Sequence, residues 1–213
     1  MIELLYPFNL VLNNISKGEI VVVEYNTLAN VDMLPFYFLK HEKSILIIIG
    51  DRLALKLMNL IKILGIEIKG SIILISNNPI EIEGVNIKTV RPVSLNMFLS
   101  EIYEYLKKNE MEDGIVVFWG TDQIDLYFDI NEAVREIAKL KGSMPDMTII
   151  DFVNFESIEK RLLSIIESSA TTIFRLEGKL KDNGIERRIA VLKSINPIEK
   201  EVSEYELKNP FFK

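Results

Sequence analysis

The stretch Gly18-Glu-Ile-Val-Val-Val-Glu-Tyr-Asn-Thr-Leu-Ala-Asn-Val-Asp-Met-Leu-Pro-Phe-Tyr-Phe-Leu39 decides the fold. Ile20–Glu24 is a β-branched run that reads as a strand buried on both faces. Asp32–His41 then reads as a helix, with Pro35 in its first turn, where a missing N–H costs nothing. The same alternation continues outward. Ser44–Ile49 is a second buried strand, and Gly50-Asp51 caps a helix running to about Leu64. Leu53, Leu57, Leu60, Ile61 and Leu64 form its apolar stripe, opposite Arg52, Lys56, Asn59 and Lys62, and Gly65 supplies its stop. Ser71–Ile75 and Asn86–Val90 are further strands. Ser94 caps a helix that turns Leu95, Phe98, Leu99, Ile102 and Leu106 inward.

Gly114–Trp119 is another buried strand, Asp129–Lys141 a helix closed by Gly142, Met147–Phe152 a strand and Glu156–Ser168 a helix. Thr171–Glu177 and Arg187–Lys193 read as two strands joined through Lys181-Asp182-Asn183-Gly184, a hairpin-type turn. This order predicts a three-layer α/β domain over residues 1–213, with a mostly parallel sheet and an antiparallel C-terminal hairpin at its edge.

Composition narrows the chemistry. The 213 residues include no cysteine and one histidine, are 48% apolar and carry a net charge of −6. A disulfide scaffold, a cysteine nucleophile, a Cys-built metal site and a multi-histidine site within one chain are excluded. The acidic balance argues against phosphate-backbone binding, so nucleic acid is not an expected partner. Aliphatic runs such as Ile45–Ile49 fall far short of the ~20 residues that span a bilayer. Met1–Asn14 is apolar but holds Glu3 and lacks a cationic flank, so no signal peptide is expected and the default compartment is the cytoplasm. Abundant Ile, Lys and Glu beside a single glutamine point to a thermophilic source, against which sixteen asparagines weigh.

Ligands of open parallel sheets bind beyond the carboxyl ends of the strands. That rule selects Tyr25–Val31, Gly50-Asp51, Gly120–Asp122 and Asp151–Asn154. Asp51 reads as a helix cap or a catalytic acid. Asp122, Asp125 and Asp129 read as a solvated acidic loop or a cation site, although their spacing is not that of an EF-hand. Asp151 stands at or near a strand end, as a turn residue or an active-site acid. Tyr25 and Trp119, at neighbouring strand ends, plug a site or stack on a base. His41 reads as a cation at a helix C-terminus or a catalytic group. Arg187, Arg188 and Lys193 protect a sheet edge or form an interface, with Arg187 and Arg188 on opposite faces.

Gly18–Leu39 resembles, without gaps, the opening of the KaiC-like and RadA-like ATPases of the RecA superfamily. Thr171-Thr-Ile-Phe-Arg-Leu-Glu177 and Arg187-Arg-Ile-Ala-Val-Leu-Lys193 resemble their C-terminal strands. The chain is also similar to the archaeal family called domain of unknown function 257. The resemblance implies a RecA-like fold and a phosphate loop of the form G-x-x-x-x-G-K-[ST]. Glycines let such a loop curl around phosphate, the lysine neutralises charge and the hydroxyl holds Mg²⁺. Tyr25, Asn30, Val31 and Asp32 occupy those positions here. Asp32 is expected to cap its own helix, taking the N–H groups an anion would use. Trp119-Gly120 replaces the family's Mg²⁺-supporting aspartate, Gly50-Asp51-Arg52 its catalytic glutamate, and Ile195 an arginine that follows Lys193.

Four departures together remove canonical ATP hydrolysis. The expectation is a non-hydrolysing RecA/KaiC-like domain, with no catalytic residue, metal or cofactor, that acts by binding a protein partner or copies of itself. The alternative is a noncanonical nucleotide-binding protein or Mg²⁺-dependent phosphohydrolase using Asp51, Asp122 or Asp151, with the backbone of Asn26–Asn30 replacing the phosphate loop. A weaker alternative is a single-stranded nucleic-acid binder.

Overall fold

Among the described residues nine strands form one sheet, and the β-branched runs supply its central ones. In the computed structural model, described for residues 15–32, 34–64, 68–91, 93–111, 113–143, 146–182, 184–195 and 202–204, the strands are β1 Ile20–Tyr25, β2 Ser44–Ile49, β3 Ser71–Ile75, β4 Ile87–Val90, β5 Ile115–Trp119, β6 Thr148–Asn154, β7 Thr172–Lys181, β8 Gly184–Lys193 and β9 Val202–Glu204. The helices are α1 Leu34–Phe38, α2 Asp51–Leu64, α3 Leu95–Lys108, α4 Ile130–Ser143 and α5 Lys160–Ser169, with 3-10 turns at Thr27–Ala29 and Thr121–Leu126. The strand order is β4-β3-β2-β5-β6-β1-β7-β8-β9, parallel as far as β7 and antiparallel through β8 and β9.

Strand periodicity divides the core in two. Val22, Ile47, Ile49, Val116 and Ile149 face α3, α4 and α5, whereas Val21, Val23, Ile48, Trp119 and Phe152 face α1 and α2. Because both faces are covered, the central strands are continuous apolar runs; all six residues of β2 are buried.

Several boundaries differ from the expected ones, each for a local reason. The helix expected over Asp32–His41 is confined to Leu34–Phe38, because the Leu39 carbonyl turns away to accept the Lys69 and Gly70 amides at 2.9 and 3.0 Å. The helix expected from Glu156 starts at Lys160, where the Glu159 carboxylate accepts the Leu162 N–H at 3.0 Å. Helix α4 runs through Gly142 to Ser143 rather than ending at Lys141. The hairpin ladder is longer than expected and continues to Lys181 opposite Gly184. Nor is β8 the outermost strand, since Val202–Glu204 pairs with Arg188–Ala190. The Gly65 stop, the Asn183 turn position and the Met1–Asn14 segment lie outside the described residues. Among those described, no helix is long and apolar enough to cross a membrane.

Candidate functional site

Adjacency of β5, β6 and β1 in the sheet brings Trp119, Asn154 and Tyr25 together at their carboxyl ends, where a ligand of such a sheet would sit. The loop that follows β1 is closed by its own bonds. Asn26 ends the strand and caps the 3-10 turn Thr27–Ala29. Its carboxamide reaches across to β7, donating from Nδ2 to the Gly178 carbonyl at 2.9 Å and accepting the Gly178 N–H at 2.8 Å. The side chain thus forms one more rung of pairing beyond the end of β1. The same Oδ1 accepts the Ala29 N–H at 3.1 Å.

Other amides around the loop also have partners. Asn26 N–H goes to the Leu176 carbonyl and Leu34 N–H to the Val31 carbonyl, while Thr27 N–H makes a long 3.5 Å contact to the Glu156 carboxylate. Asn30 takes up the left-handed conformation, φ 54°, which asparagine tolerates. Val31 is buried in the core cluster beneath the loop together with Tyr25 and Ala29. From the far side Arg187 Nε donates to the Leu28 carbonyl at 3.1 Å.

A cation does reach this loop, from a helix rather than from the loop itself. Lys56 Nζ of α2 lies 2.5 Å from Asp32 Oδ2, so the two charges neutralise each other. The sequence shows Lys56 only as part of a solvated helix face; nothing local connects it to Asp32.

Around Tyr25 the field is negative. Its phenol is held well above the usual range, first by burial and then by Asp122, with Asp32 and Asp151 adding to the effect; Trp119's indole N–H opposes it. That N–H is itself buried without an acceptor in hydrogen-bond geometry. Trp119 meets Phe36 edge-on, with ring centres 6.1 Å apart. Aromatic side chains therefore fill this site.

The strand-end acids are each engaged separately. Asp122 is buried in the turn after β5, where it accepts from Ser157 Oγ at 2.9 Å and Asn154 N at 3.4 Å; burial raises its carboxyl and the Ser157 bond opposes the rise. Gly120 makes that turn possible, with φ 96° and the Ile49 carbonyl where a Cβ would stand. Asp151, expected at or near a strand end, stands three residues before the end of β6. It lies within β6, in register with Val22 and Phe118, because the strand continues to Asn154, and it accepts from Thr121 Oγ1 at 2.7 Å. Asp51 opens α2 and binds the Ser76 hydroxyl and Asn77 N–H, tying β3 to the helix.

Asp125 and His41 are exposed, and Asp129 is occupied with the Asn131 and Glu132 amides at 2.9 and 3.1 Å. No group of three acids or histidines among the described residues could hold a metal ion. Arg187 and Arg188 stand on opposite faces of β8: one is bound to Leu28, the other to Glu186 at 2.6 Å. Lys193 pairs opposite Ile173, at the other end of the hairpin, so the three cations do not form one patch.

No protein-family model and no curated protein matches the chain. Solved structures do. A KaiC-like protein from Pyrococcus horikoshii superposes with a TM-score of 0.56 at 14% identity, covering 89% of this chain and 84% of that one. A second P. horikoshii protein, crystallised with an unknown peptide, gives 0.59 at 12% identity, covering 93% and 97%. The flagellar accessory protein FlaH from Methanocaldococcus jannaschii gives 0.51 at 14% identity, covering 90% and 91%. Sheet order, antiparallel C-terminal hairpin and these superpositions agree that the chain has the RecA-like fold of the KaiC-like proteins.

Proposed function

We propose that this is a non-hydrolysing RecA/KaiC-like domain that works as a protein-interaction or assembly module. The observation that carries the reading is the loop after β1, which Asn26 pins to Gly178 and to the Ala29 N–H and whose surroundings are acidic. A phosphate would have to displace those bonds and enter a negative field without a free lysine from the loop. Each charge-assisted hydrogen bond lost is worth ~1.5–3 kcal/mol, and micromolar affinity is only ~8 kcal/mol in all.

Contact chemistry is available elsewhere. Leu180 and Ile185 pair across the hairpin tip and are 76% and 40% exposed. Leu28 lies against Gly178 on the same face and is 39% exposed. That a structure of this fold was crystallised with an unknown peptide supports the same reading. The Mg²⁺-dependent alternative has less to stand on, since Asp51, Asp122 and Asp151 are each committed to a different hydroxyl.

Calorimetric titration of ATP, ADP and GTP with Mg²⁺ tests the proposal, on the wild type and on Asp32→Ala. No saturable binding by either protein at millimolar nucleotide is expected. Tight saturable binding by the wild type would overturn the inert-site reading.

A further inference from the structure

Glu24 is a carboxyl group placed in the sheet itself. It is fully buried on β1, on the face that carries α5, with Val153 of β6 and Arg175 of β7 as its ladder neighbours. Its Oε2 receives both Nε and Nη2 of Arg175, at 2.6 and 2.5 Å. Its Oε1 is buried without a hydrogen-bond partner. The same guanidinium lies 3.8 Å from Glu167 Oε1 of α5 and over the Phe155 ring at 5.0 Å. Glu167, on the same guanidinium, adds to the rise of the Glu24 carboxyl. Two carboxylates thus share one guanidinium, leaving a net negative charge and an orphaned oxygen on Glu24, the fully buried member, while Arg175 and Glu167 are 32% and 34% exposed.

An unpartnered charged oxygen in such a site bears its desolvation cost in full. A proton on one carboxyl removes both faults, because the cluster becomes neutral and the new O–H donates to the other carboxyl. We propose that Glu24 and Glu167 share a single proton at the Arg175 clamp, which makes this cluster a proton-binding site joining β1, β7 and α5. Burial and Glu167 push the Glu24 carboxyl up, against the pull of Arg175, to about 7. Several other charged groups on the packed elements are engaged elsewhere. Glu177 of β7 binds Lys179 at 3.5 Å, Arg161 of α5 binds Asn131 at 2.7 Å, and Asp151 of β6 lies two positions back along the sheet, on Thr121.

The sign of the linkage follows. A carboxyl raised from 4.5 to about 7 contributes stability that is complete below pH 4.5 and is lost as the pH rises through about 7. The test is a carbon-13 NMR titration of the glutamate carboxyls in the full chain, beside urea unfolding midpoints across the same pH range. One wild-type carboxyl is expected to titrate near neutrality, far above the ordinary ~4.3. Glu24→Gln abolishes that titration and flattens the neutral-range fall of the urea midpoint. Glu167→Gln moves the midpoint of the remaining carboxyl downward, because its like-charged neighbour is gone. Completion of every wild-type glutamate titration in the ordinary range would overturn the proposal, whether or not Glu24→Gln folds. So would a near-neutral titration that persists unchanged in Glu167→Gln.

Discussion

Asn26 shows how one side chain can close a site. Its carboxamide satisfies both backbone groups of Gly178 and the Ala29 N–H, so the loop is tied to β7. Asn26→Asp keeps the size and the acceptors but sets a carboxylate oxygen against the Gly178 carbonyl, and a buried acceptor left without a donor costs ~1–3 kcal/mol, more for a charged group. On the partner side, a Cβ at Gly178 would fall on the Leu28 carbonyl, which is backbone and yields little. Overpacking of this kind costs ~1–3 kcal/mol. Both Asn26→Asp and Gly178→Ala are therefore expected to lower the urea midpoint, measurable by circular dichroism. Wild-type midpoints in both would show that the loop is not pinned through this rung. None of this is visible from spacing: Asn26 and Gly178 are 152 positions apart, and Lys56 shows no local sign of its bond to Asp32. What Tyr25, Asn30, Val31 and Asp32 do reveal is that this stretch does not carry the glycines, lysine and hydroxyl of G-x-x-x-x-G-K-[ST]; how the loop is filled depends on tertiary contacts.

At the scale of elements, legibility tracks burial. β2, β5 and α3 come close to where their patterns put them, because a run such as Ser44–Ile49 has no other way to bury six residues, and Ser94 caps its helix through the Met97 N–H at 3.2 Å. α1 ends early because the Leu39 carbonyl serves the distant Lys69 and Gly70 amides, and α5 starts late because the Glu159 carboxylate caps the Leu162 N–H. The hairpin is longer than its apolar core requires. Its far half alternates a charged face, held by Lys181–Glu186 at 2.9 Å and Arg188–Glu186 at 2.6 Å, with an apolar face that Leu180 and Ile185 present to solvent. Such a tip adds little to the core, so Leu180→Ser with Ile185→Ser is expected to shift stability by no more than ~0.5 kcal/mol. If the module assembles through this tip, sedimentation at high concentration will show species above the 24.5 kDa chain, lost in the double variant. A wild type that stays monomeric would remove self-association from the proposed function. Association unchanged in the variant would move the contact off the hairpin.

For the molecule as a whole, the sheet is the shared wall of two cores. Val22, Ile47 and Ile149 pack on one side, while Val21, Val23, Ile48 and Ile150 of the same three strands pack on the other. Removing either helical layer exposes half the side chains of strands that the other layer needs, so neither core can be lost alone without a cost approaching that of unfolding. Trp119 provides the readout. As the single tryptophan, fully buried on the α1 and α2 side, it reports that core, whereas far-ultraviolet circular dichroism reports both. The two signals are expected to follow one urea transition with a common midpoint and slope. Burial of Trp119 also predicts that acrylamide quenches its fluorescence weakly until that transition begins. A tryptophan midpoint clearly below the dichroism midpoint would mean that α1, α2 and the closed loop open as a unit of their own. The aromatic plug at the ends of β1 and β5 would then be a movable part rather than a fixed seal.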